Sequence, residues 1–362
     1  MCCLFLGVFV LGTTASCGPR DHSPQKDGAV DATVPPDTPI SPDVDEQEDS
    51  GHHSGSDAGP DAGPDGGVDA GPDGGVDAGW PTNHRSFGYY WGMGDAPTAF
   101  SSVAGTVDTM FVNHGWETSD IQELVDKETA DLNTLAAANA KGIINAFSVF
   151  FDPSNDFALR ADWESRWNQY WALMYAAGNL PKIAAFYPLD EPNAHISDVV
   201  LSQVAHIIKI NVDTTPYDIP VMITLTASGV LMVDNGTYVI PDTVRWLGFD
   251  EYHCWDTDCF QGIGISEKLQ MLRNVMDPVG GSVFVVLQGF SPTPNASAAF
   301  QQMLIDRSLQ YRDLCQSYAD CTGVFVFLLN TNANLDLYAV DDMPLVQTHL
   351  LDLGPQIMMQ PL

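Results

Sequence analysis

The sequence predicts an α/β protein, a (β/α)8 barrel preceded by a disordered tether. After Trp80, short apolar runs rich in β-branched and aromatic residues alternate with amphipathic stretches, which is typical of βα units around a parallel sheet. Before it, residues 18–80 contain almost no large apolar side chains. We therefore divide the chain of 362 residues into a leader at 1–17, a linker at 18–80 and a barrel domain at 81–362.

Eight apolar runs have the length and composition of strands. They are Ser86–Trp91, Thr109–Asn113, Gly142–Phe151, Lys182–Leu189, Val221–Thr226, Trp246–Tyr252, Ser282–Phe290 and Gly323–Asn330. Helices are predicted at Thr118–Ala140, Ala161–Ala177, Ile196–Asn211, Ser266–Met276 and Ala296–Tyr318, and the first and fifth connections have weaker patterns. An open doubly wound sheet is the alternative, but no Gly-rich phosphate loop follows the first run, so the barrel is favoured.

The first 17 residues form an apolar run of signal-peptide length that ends in small residues, which predicts export. Thr14-Ala15-Ser16-Cys17 resembles a bacterial lipobox, and this resemblance implies lipidation of Cys17 and a cell-surface location. Thr14 departs from the usual Leu, and no Lys or Arg precedes the run, so plain secretion is the alternative. Beyond it, Asp recurs every fourth residue from Asp57 to Asp77 among Gly, Ala and Pro, a composition expected of an extended, solvated spacer.

The formal net charge of −33 argues against nucleic acid and anionic membrane surfaces as partners, since both bind clustered Lys and Arg. A neutral carbohydrate is the expected partner. We expect membrane contact only through a lipid at Cys17, no cofactor and a monomeric protein. The domain holds Cys254, Cys259, Cys315 and Cys321 in two close pairs, which predicts two short-loop disulfides. A zinc site is the alternative, although neither pair has the usual two-residue spacing and no metal is expected.

In a barrel of this kind the chemistry lies at the carboxyl ends of the strands. The residues there are acidic, amidic and aromatic, namely Tyr90, Trp91, Asn113, His114, Phe151, Asp152, Asp190, Glu191, Thr226, Asp250, Glu251, Tyr252, Gln288 and Asn330. This mixture suits a sugar, because planar rings stack on its C–H faces and two carboxyls can cleave a glycosidic bond. No nucleophilic serine elbow is present in the sequence, which disfavours serine hydrolases.

The segment Ala185-Phe186-Tyr187-Pro188-Leu189-Asp190-Glu191-Pro192-Asn193 resembles the fourth-strand motif of clan-A-type (β/α)8 glycoside hydrolases, which ends in Asn-Glu-Pro or Asp-Glu-Pro. The resemblance implies that Glu191 is the general acid/base and that it stays protonated near neutral pH. An alternative is that Asp190 and Glu191 only cap the following helix.

The seventh strand departs from that family, because Gln288 stands where retaining members place a nucleophilic Glu. The sixth strand offers Asp250 and Glu251 instead. Three mechanisms stay open: a nucleophile about 5 Å from Glu191, a base acting through water at about 6.5 to 9.5 Å, or a nucleophile provided by the substrate. The third rests on the similarity of Asp190-Glu191 to the pair in substrate-assisted N-acetylhexosaminidases.

Several further residues are candidates for binding substrate. Tyr187, Tyr252 and Trp255 are expected to stack on sugar, unless Tyr187 fills the barrel interior and Trp255 packs over the Cys254–Cys259 loop. His114 either bonds a sugar hydroxyl or has a structural role. The leading hypothesis is a surface-anchored glycoside hydrolase acting on an extracellular or cell-wall polysaccharide. A non-catalytic carbohydrate-binding barrel and a structural lipoprotein are the alternatives.

Overall fold

The computed structural model describes residues 84–93, 97–252, 260–330 and 337–362, and these form a closed barrel of parallel strands. Each strand pairs with the next along the chain, and the last pairs with the first in the register Ser86↔Gly323. The barrel strands are β1 Ser86–Met93, β2 Thr109–Val112, β3 Lys141–Asn145, β4 Ile183–Tyr187, β5 Val221–Thr226, β6 Val244–Asp250, β7 Ser282–Gln288 and β8 Cys321–Phe327. The predicted (β/α)8 barrel is confirmed.

A helix follows each barrel strand and covers the outside of the barrel. The helices are α1 Pro97–Val103, α2 Ile121–Ala137, α3 Trp163–Ala176, α4 Asp198–Val212, α5 Ala227–Asp234, α6 Ile265–Met276, α7 Ala298–Gln316 and α8 Pro344–Met358. Four-residue helices span Phe147–Phe150 and Pro192–His195, and 3-10 turns span Pro153–Asn155, Leu180–Lys182, Phe260–Gly262, Asp277–Val279 and Val340–Asp342. Two short antiparallel pairs, Phe151–Asp152 with Ala158–Leu159 and Phe290–Ser291 with Tyr338–Ala339, lie outside the barrel sheet.

The two-residue period of a strand separates two apolar layers. On β7, Phe284 and Val286 belong to the cluster inside the barrel, whereas Val283, Val285 and Leu287 pack in the outer cluster with the helices. Inside, aromatic side chains from neighbouring strands fill the interior, namely Tyr90, Phe111, Tyr187, Trp246, Phe284 and Phe325. The barrel therefore has a packed interior, and only its ends can receive a ligand.

The third predicted strand, Gly142–Phe151, was wrong in its length. β3 ends at Asn145, the next residues form the helix Phe147–Phe150, and Phe151 belongs to a separate hairpin. A continuous apolar run does not distinguish a strand from a buried helical turn. The predicted helices differ from the observed ones by a few residues at their ends; α2, for example, begins at Ile121 because the Asp120 side chain accepts the Glu123 N–H. The two weak connections are the short helices α1 and α5.

The predicted disulfide between Cys315 and Cys321 is confirmed, and it joins the end of α7 to the start of β8. The second predicted pair, Cys254 and Cys259, lies outside the described residues, as do the leader with Cys17 and the linker at 18–80. Of the helices that the structure describes, none is both long and apolar enough to cross a membrane.

Candidate active site

The carboxyl ends of β4 and β6 bring the side chains of Glu191 and Asp250 together. Asp250 is the last residue of β6 and has the same parity as Trp246, which faces the barrel interior. Glu191 follows β4 after a short turn and adopts a left-handed backbone with φ 45° before the helix Pro192–His195. Its carboxyl group lies within hydrogen-bonding reach of the carboxyl group of Asp250. The barrel therefore holds a pair of carboxylic acids at its mouth.

The backbone at Glu191 directs the side chain away from the helix that it precedes. Glu191 makes no capping hydrogen bond through its side chain, so the capping alternative does not describe it. A left-handed conformation costs a residue with a side chain about 1–2 kcal/mol, and such conformations persist where the surrounding structure imposes them. Here Pro192 begins the helix and the Ala194 N–H donates to the Glu191 carbonyl at 2.9 Å. The local backbone conformation therefore points the Glu191 side chain across the mouth of the barrel.

Burial and mutual repulsion separate the acidities of the pair. Burial raises the pKa of Glu191 to about 10, with further contributions from the charges of Asp250 and Asp190. Burial and the charge of Asp190 raise the pKa of Asp250 to about 7, although hydrogen bonds from Tyr252 and Glu191 oppose the rise. Between these two pKa values Glu191 carries the proton and Asp250 is ionised. Such separation assigns an acid and a base to two carboxyls of one site.

Asp190 lies next to this pair and has its own partner. The Tyr187 hydroxyl donates a hydrogen bond to Asp190 Oδ1. Burial raises the pKa of Asp190, and the bond from Tyr187 together with the charge of His195 opposes that rise. Asp190 therefore adds negative charge beside Glu191 and Asp250, which favours the protonated form of Glu191.

Glu251, the other acid predicted at this strand end, points away from the mouth. Its Oε2 accepts a hydrogen bond from Lys268 Nζ of α6 at 2.5 Å, and its Oε1 accepts one from the Phe260 N–H at 2.6 Å. The Lys268 side chain is fully buried, so this ion pair lies between strand and helix. Successive residues of a strand face opposite sides. Of the two candidates, the structure brings only Asp250 to Glu191.

Amide side chains predicted at the site lie at the end of β7 and shortly after the ends of β2 and β8. Asn113 Oδ1, Gln288 Oε1 and Asn330 Nδ2 are buried and have no hydrogen-bond partner among the residues that the structure describes. Gln288 Nε2 donates to the Phe290 carbonyl at 3.0 Å. Buried polar atoms are normally paired, so unpaired amides at the barrel mouth are suited to sugar hydroxyls. Asn145 lies at the end of β3, where its Oδ1 accepts the Phe147 N–H at 3.4 Å; the sequence does not single it out, because the predicted third strand runs past it to Phe151.

The predicted aromatic residues divide into rings that are buried inside the barrel and a ring at its mouth that remains partly accessible. Tyr90 stacks on Phe111 and meets Tyr187 edge to face at 5.8 Å, and all three are buried inside the barrel. Tyr187 thus fills the interior, as the alternative for it stated. Tyr252 remains partly accessible, lies parallel to the Phe327 ring at 5.5 Å, and donates to Asp250 Oδ2 at 2.8 Å. The side chain of Trp91 and all of Trp255 lie outside the described residues.

His114 is not at the barrel mouth. Its ring nitrogens bond Asp131 Oδ2 of α2 at 2.8 Å and Glu117 Oε1 at 3.0 Å, and the side chain is buried. Burial lowers the pKa of His114, but the hydrogen bonds and charges of Asp131 and Glu117 outweigh it and the net shift is upward. His114 therefore secures the turn after β2 to α2, which is the structural role considered for it.

The chain matches no protein-family model and no curated protein. It is similar in structure to a glycoside hydrolase family 5 enzyme from Prevotella bryantii, solved with a xyloglucan tetradecasaccharide, at 11% identity and a TM-score of 0.51 over 75% of this chain and 96% of that one. It is also similar to a fungal β-1,4-galactanase, at 13% identity and a TM-score of 0.52 over 74% and 99% of the two chains. At these identities the likeness shows a shared barrel fold.

Proposed function

We propose that the domain is a glycoside hydrolase acting on an extracellular or cell-wall polysaccharide, with Glu191 as general acid/base and Asp250 as the partner carboxylate. The observation that carries the proposal is the contact between these two carboxyl groups at the carboxyl end of the barrel, with the pKa of Glu191 raised to about 10 and that of Asp250 to about 7. Two solved structures that share the fold, a xyloglucan-bound enzyme and a β-1,4-galactanase, support a polysaccharide as the substrate class.

In the proposed reaction Glu191 donates its proton to the glycosidic oxygen while Asp250 attacks the anomeric carbon. The bond from that carbon to the leaving oxygen breaks, and a glycosyl ester of Asp250 forms. An inverting route requires a water between carboxyls that are about 6.5 to 9.5 Å apart, whereas retaining pairs are about 5 Å apart. Carboxyls within hydrogen-bonding reach favour the retaining route.

The same pair explains how Glu191 changes its role in the second step. The ester removes the negative charge of Asp250, which is the second largest cause of the raised pKa of Glu191. The pKa of Glu191 is then lower, so the carboxylate left after proton donation persists until it accepts a proton from the attacking water. Water then displaces Asp250 from the anomeric carbon, and both residues return to their starting states.

A second candidate is the substrate-assisted N-acetylhexosaminidase, in which Asp190 orients a 2-acetamido group. Asp190 is close enough to Glu191 for its charge to raise the pKa of that acid, which favours this candidate. Against it, the Tyr187 hydroxyl already donates to Asp190 Oδ1, and Asp250 offers a second carboxyl group beside Glu191. The two candidates differ in what Asp250 does.

The test compares wild-type protein with Glu191→Gln, Glu191→Ala and Asp250→Asn on polysaccharides and on aryl glycosides. Glu191→Gln should abolish polysaccharide hydrolysis and spare binding. Glu191→Ala should still form the glycosyl ester of Asp250 from dinitrophenyl glycosides, because their leaving group needs no proton. Azide should accelerate the turnover of this variant. Asp250→Asn should lose both activities. The exposed Glu164→Gln on α3 is the matched control.

Other outcomes would replace the proposal. Wild-type protein that binds saccharides and cleaves none of them is a carbohydrate-binding barrel. Hydrolysis confined to 2-acetamido sugars, lost in Asp190→Asn and retained in Asp250→Asn, identifies the substrate-assisted enzyme. Absence of both binding and hydrolysis leaves only the structural lipoprotein.

We also propose that Cys17 anchors the domain to the cell surface and that residues 18–80 act as its spacer. The lipobox-like Thr14-Ala15-Ser16-Cys17 and the repeated Asp-containing units support this. Expression of Cys17→Ala in a bacterial host should move the protein from the membrane fraction to the soluble exported fraction. Unchanged fractionation would refute the anchor.

A further inference from the structure

Four ring side chains contact one another in the loops that follow β2, β3 and β4. We call Trp116, Phe147, Phe157 and His195 the Trp116 platform. The Trp116 ring lies 4.5 Å from that of Phe147 and 5.9 Å from that of Phe157, and the Phe157 ring lies 4.7 Å from that of His195. Phe147 is buried beneath Trp116, so Trp116, Phe157 and His195 are the members of the platform that a ligand can reach at the carboxyl end of the barrel.

Trp116 is an exposed member of the platform, and contacts on both sides of its turn fix its position. It retains 38% exposure, although Phe147 packs against it. Gly115 brings the backbone close to the helix Phe147–Phe150, which follows β3. A Cβ at this position would lie 2.7 Å from Phe147 Cε1 and from Ser148 Oγ. On the other side, His114 secures the same turn through Asp131 and Glu117. A large aromatic side chain is thus kept partly exposed at this turn, where it lies against the partly buried Phe157 and can contact a ligand.

Phe157 is placed by a strained segment of backbone. Asp156 and Phe157 both have left-handed conformations, with φ 48° and 56°, which are unfavourable for residues that carry a side chain. Strain of this kind is found where surrounding structure imposes it and clusters at functional sites. Its result here is that the Phe157 ring bridges Trp116 and His195.

His195 brings one end of the platform close to the candidate acid. His195 ends the helix Pro192–His195, and Glu191 is the residue that precedes this helix. One helical turn therefore separates Glu191 from the exposed His195, whose charge also affects the pKa of Asp190. A ligand that reaches Glu191 can continue over His195 and Phe157 to Trp116.

We infer that the Trp116 platform is a subsite for sugar units of a polysaccharide chain away from the cleaved bond, so that the enzyme prefers long substrates to short ones. This inference rests on the proposed function. Aromatic rings pack against the C–H faces of sugars, and the exposed imidazole of His195 can bond a hydroxyl. The formal net charge of −33 makes a neutral polysaccharide the fitting ligand, since an acidic one would be repelled.

The experiment compares wild-type protein, Trp116→Ala, Trp116→Phe and the control Tyr175→Ala. Tyr175 is 61% exposed near the end of α3, at the opposite end of the barrel. Affinity by calorimetry and kcat/KM are measured with xylo-, gluco-, galacto- and manno-oligosaccharides of increasing length and with their aryl monosaccharide glycosides. Thermal unfolding checks that each variant is folded.

Trp116→Ala should lower affinity and kcat/KM for long oligosaccharides by about tenfold and leave the aryl monosaccharide glycosides unchanged. Trp116→Phe should recover part of the loss, and Tyr175→Ala should match wild type. Equal effects on long and short substrates, or no effect, would overturn the subsite while leaving the hydrolase proposal intact. If wild type binds oligosaccharides without cleaving them, the hydrolase proposal fails and the affinities alone decide the subsite; absence of binding overturns both.

Discussion

Replacing Glu191 with Gln should change how the stability of the domain depends on pH. In the folded protein the pKa of Glu191 is about 10, whereas an unfolded Glu titrates near about 4.3. Between these values the folded state binds a proton that the unfolded state releases. Stability therefore falls as pH rises through this interval, because the state that binds more protons is favoured at low pH.

The magnitude follows from the width of the pH interval studied. One group contributes about 1.4 kcal/mol of unfolding free energy per pH unit while it is protonated only in the folded state. Above about pH 7.5 Asp250, whose pKa is about 7, is mostly ionised in both states and contributes only a few tenths of a kcal/mol at most. Between about pH 7.5 and about pH 9.0, the proton that Glu191 releases on unfolding should lower the free energy of unfolding of the wild-type protein by about 2 kcal/mol. Glu191→Gln should not show this decrease.

The assay is urea unfolding followed by tryptophan fluorescence at the two pH values for wild type, Glu191→Gln and Glu164→Gln. Groups far from Glu191 titrate alike in all three proteins, so the difference between variants reports the proton of Glu191 together with the change that its loss causes in the neighbouring Asp250. Glu191→Gln should gain about 2 kcal/mol relative to wild type on going to the higher pH, and the exposed control should gain nothing. A difference that is independent of pH, or that has the opposite sign, would refute the burial and repulsion that we describe for Glu191.

Three further predictions test the neighbours of the pair. Since Asp250 must be ionised and Glu191 protonated, kcat/KM should be highest between about pH 7 and about pH 10. Tyr252→Phe removes a hydrogen bond that lowers the pKa of Asp250, so the acidic limb should move upward by about one pH unit; an unmoved limb would contradict this. Lys268→Met should destabilise the domain by about 3–5 kcal/mol because it leaves Glu251 without its buried partner, and adding Glu251→Leu should restore most of the loss in urea unfolding.

Several features of the site could be predicted from residues close in sequence. The apolar runs and their spacing predict the eight barrel strands, and the Asp190-Glu191-Pro192 motif identifies Glu191. On β6, Asp250 has the parity of Trp246, which faces the barrel interior. The sequence also allows Glu251, because it follows the last residue of β6 and strand periodicity does not fix the direction of its side chain.

Other features depend on contacts between distant segments. The apolar run after β3 turns into a helix at Phe147 because it packs with neighbouring loops, and a run of this composition is compatible with either structure. His114 faces α2 because Asp131 there offers a carboxylate, a partner that lies 17 residues away in the chain. No sequence pattern identifies Trp116 as a binding residue, because the loops after β2, β3 and β4 come together only in the folded structure.

The acidic strand end illustrates the division between sequence and tertiary structure. Residues 185–193 determine by themselves that a strand stops before an Asp-Glu-Pro turn, because local propensity and apolar pattern act over a few residues. The partner of Glu191 was decided only when the closed barrel brought the ends of β4 and β6 to one mouth. Burial there raises the pKa of both acids, and burial is a property of the whole fold that no single segment carries.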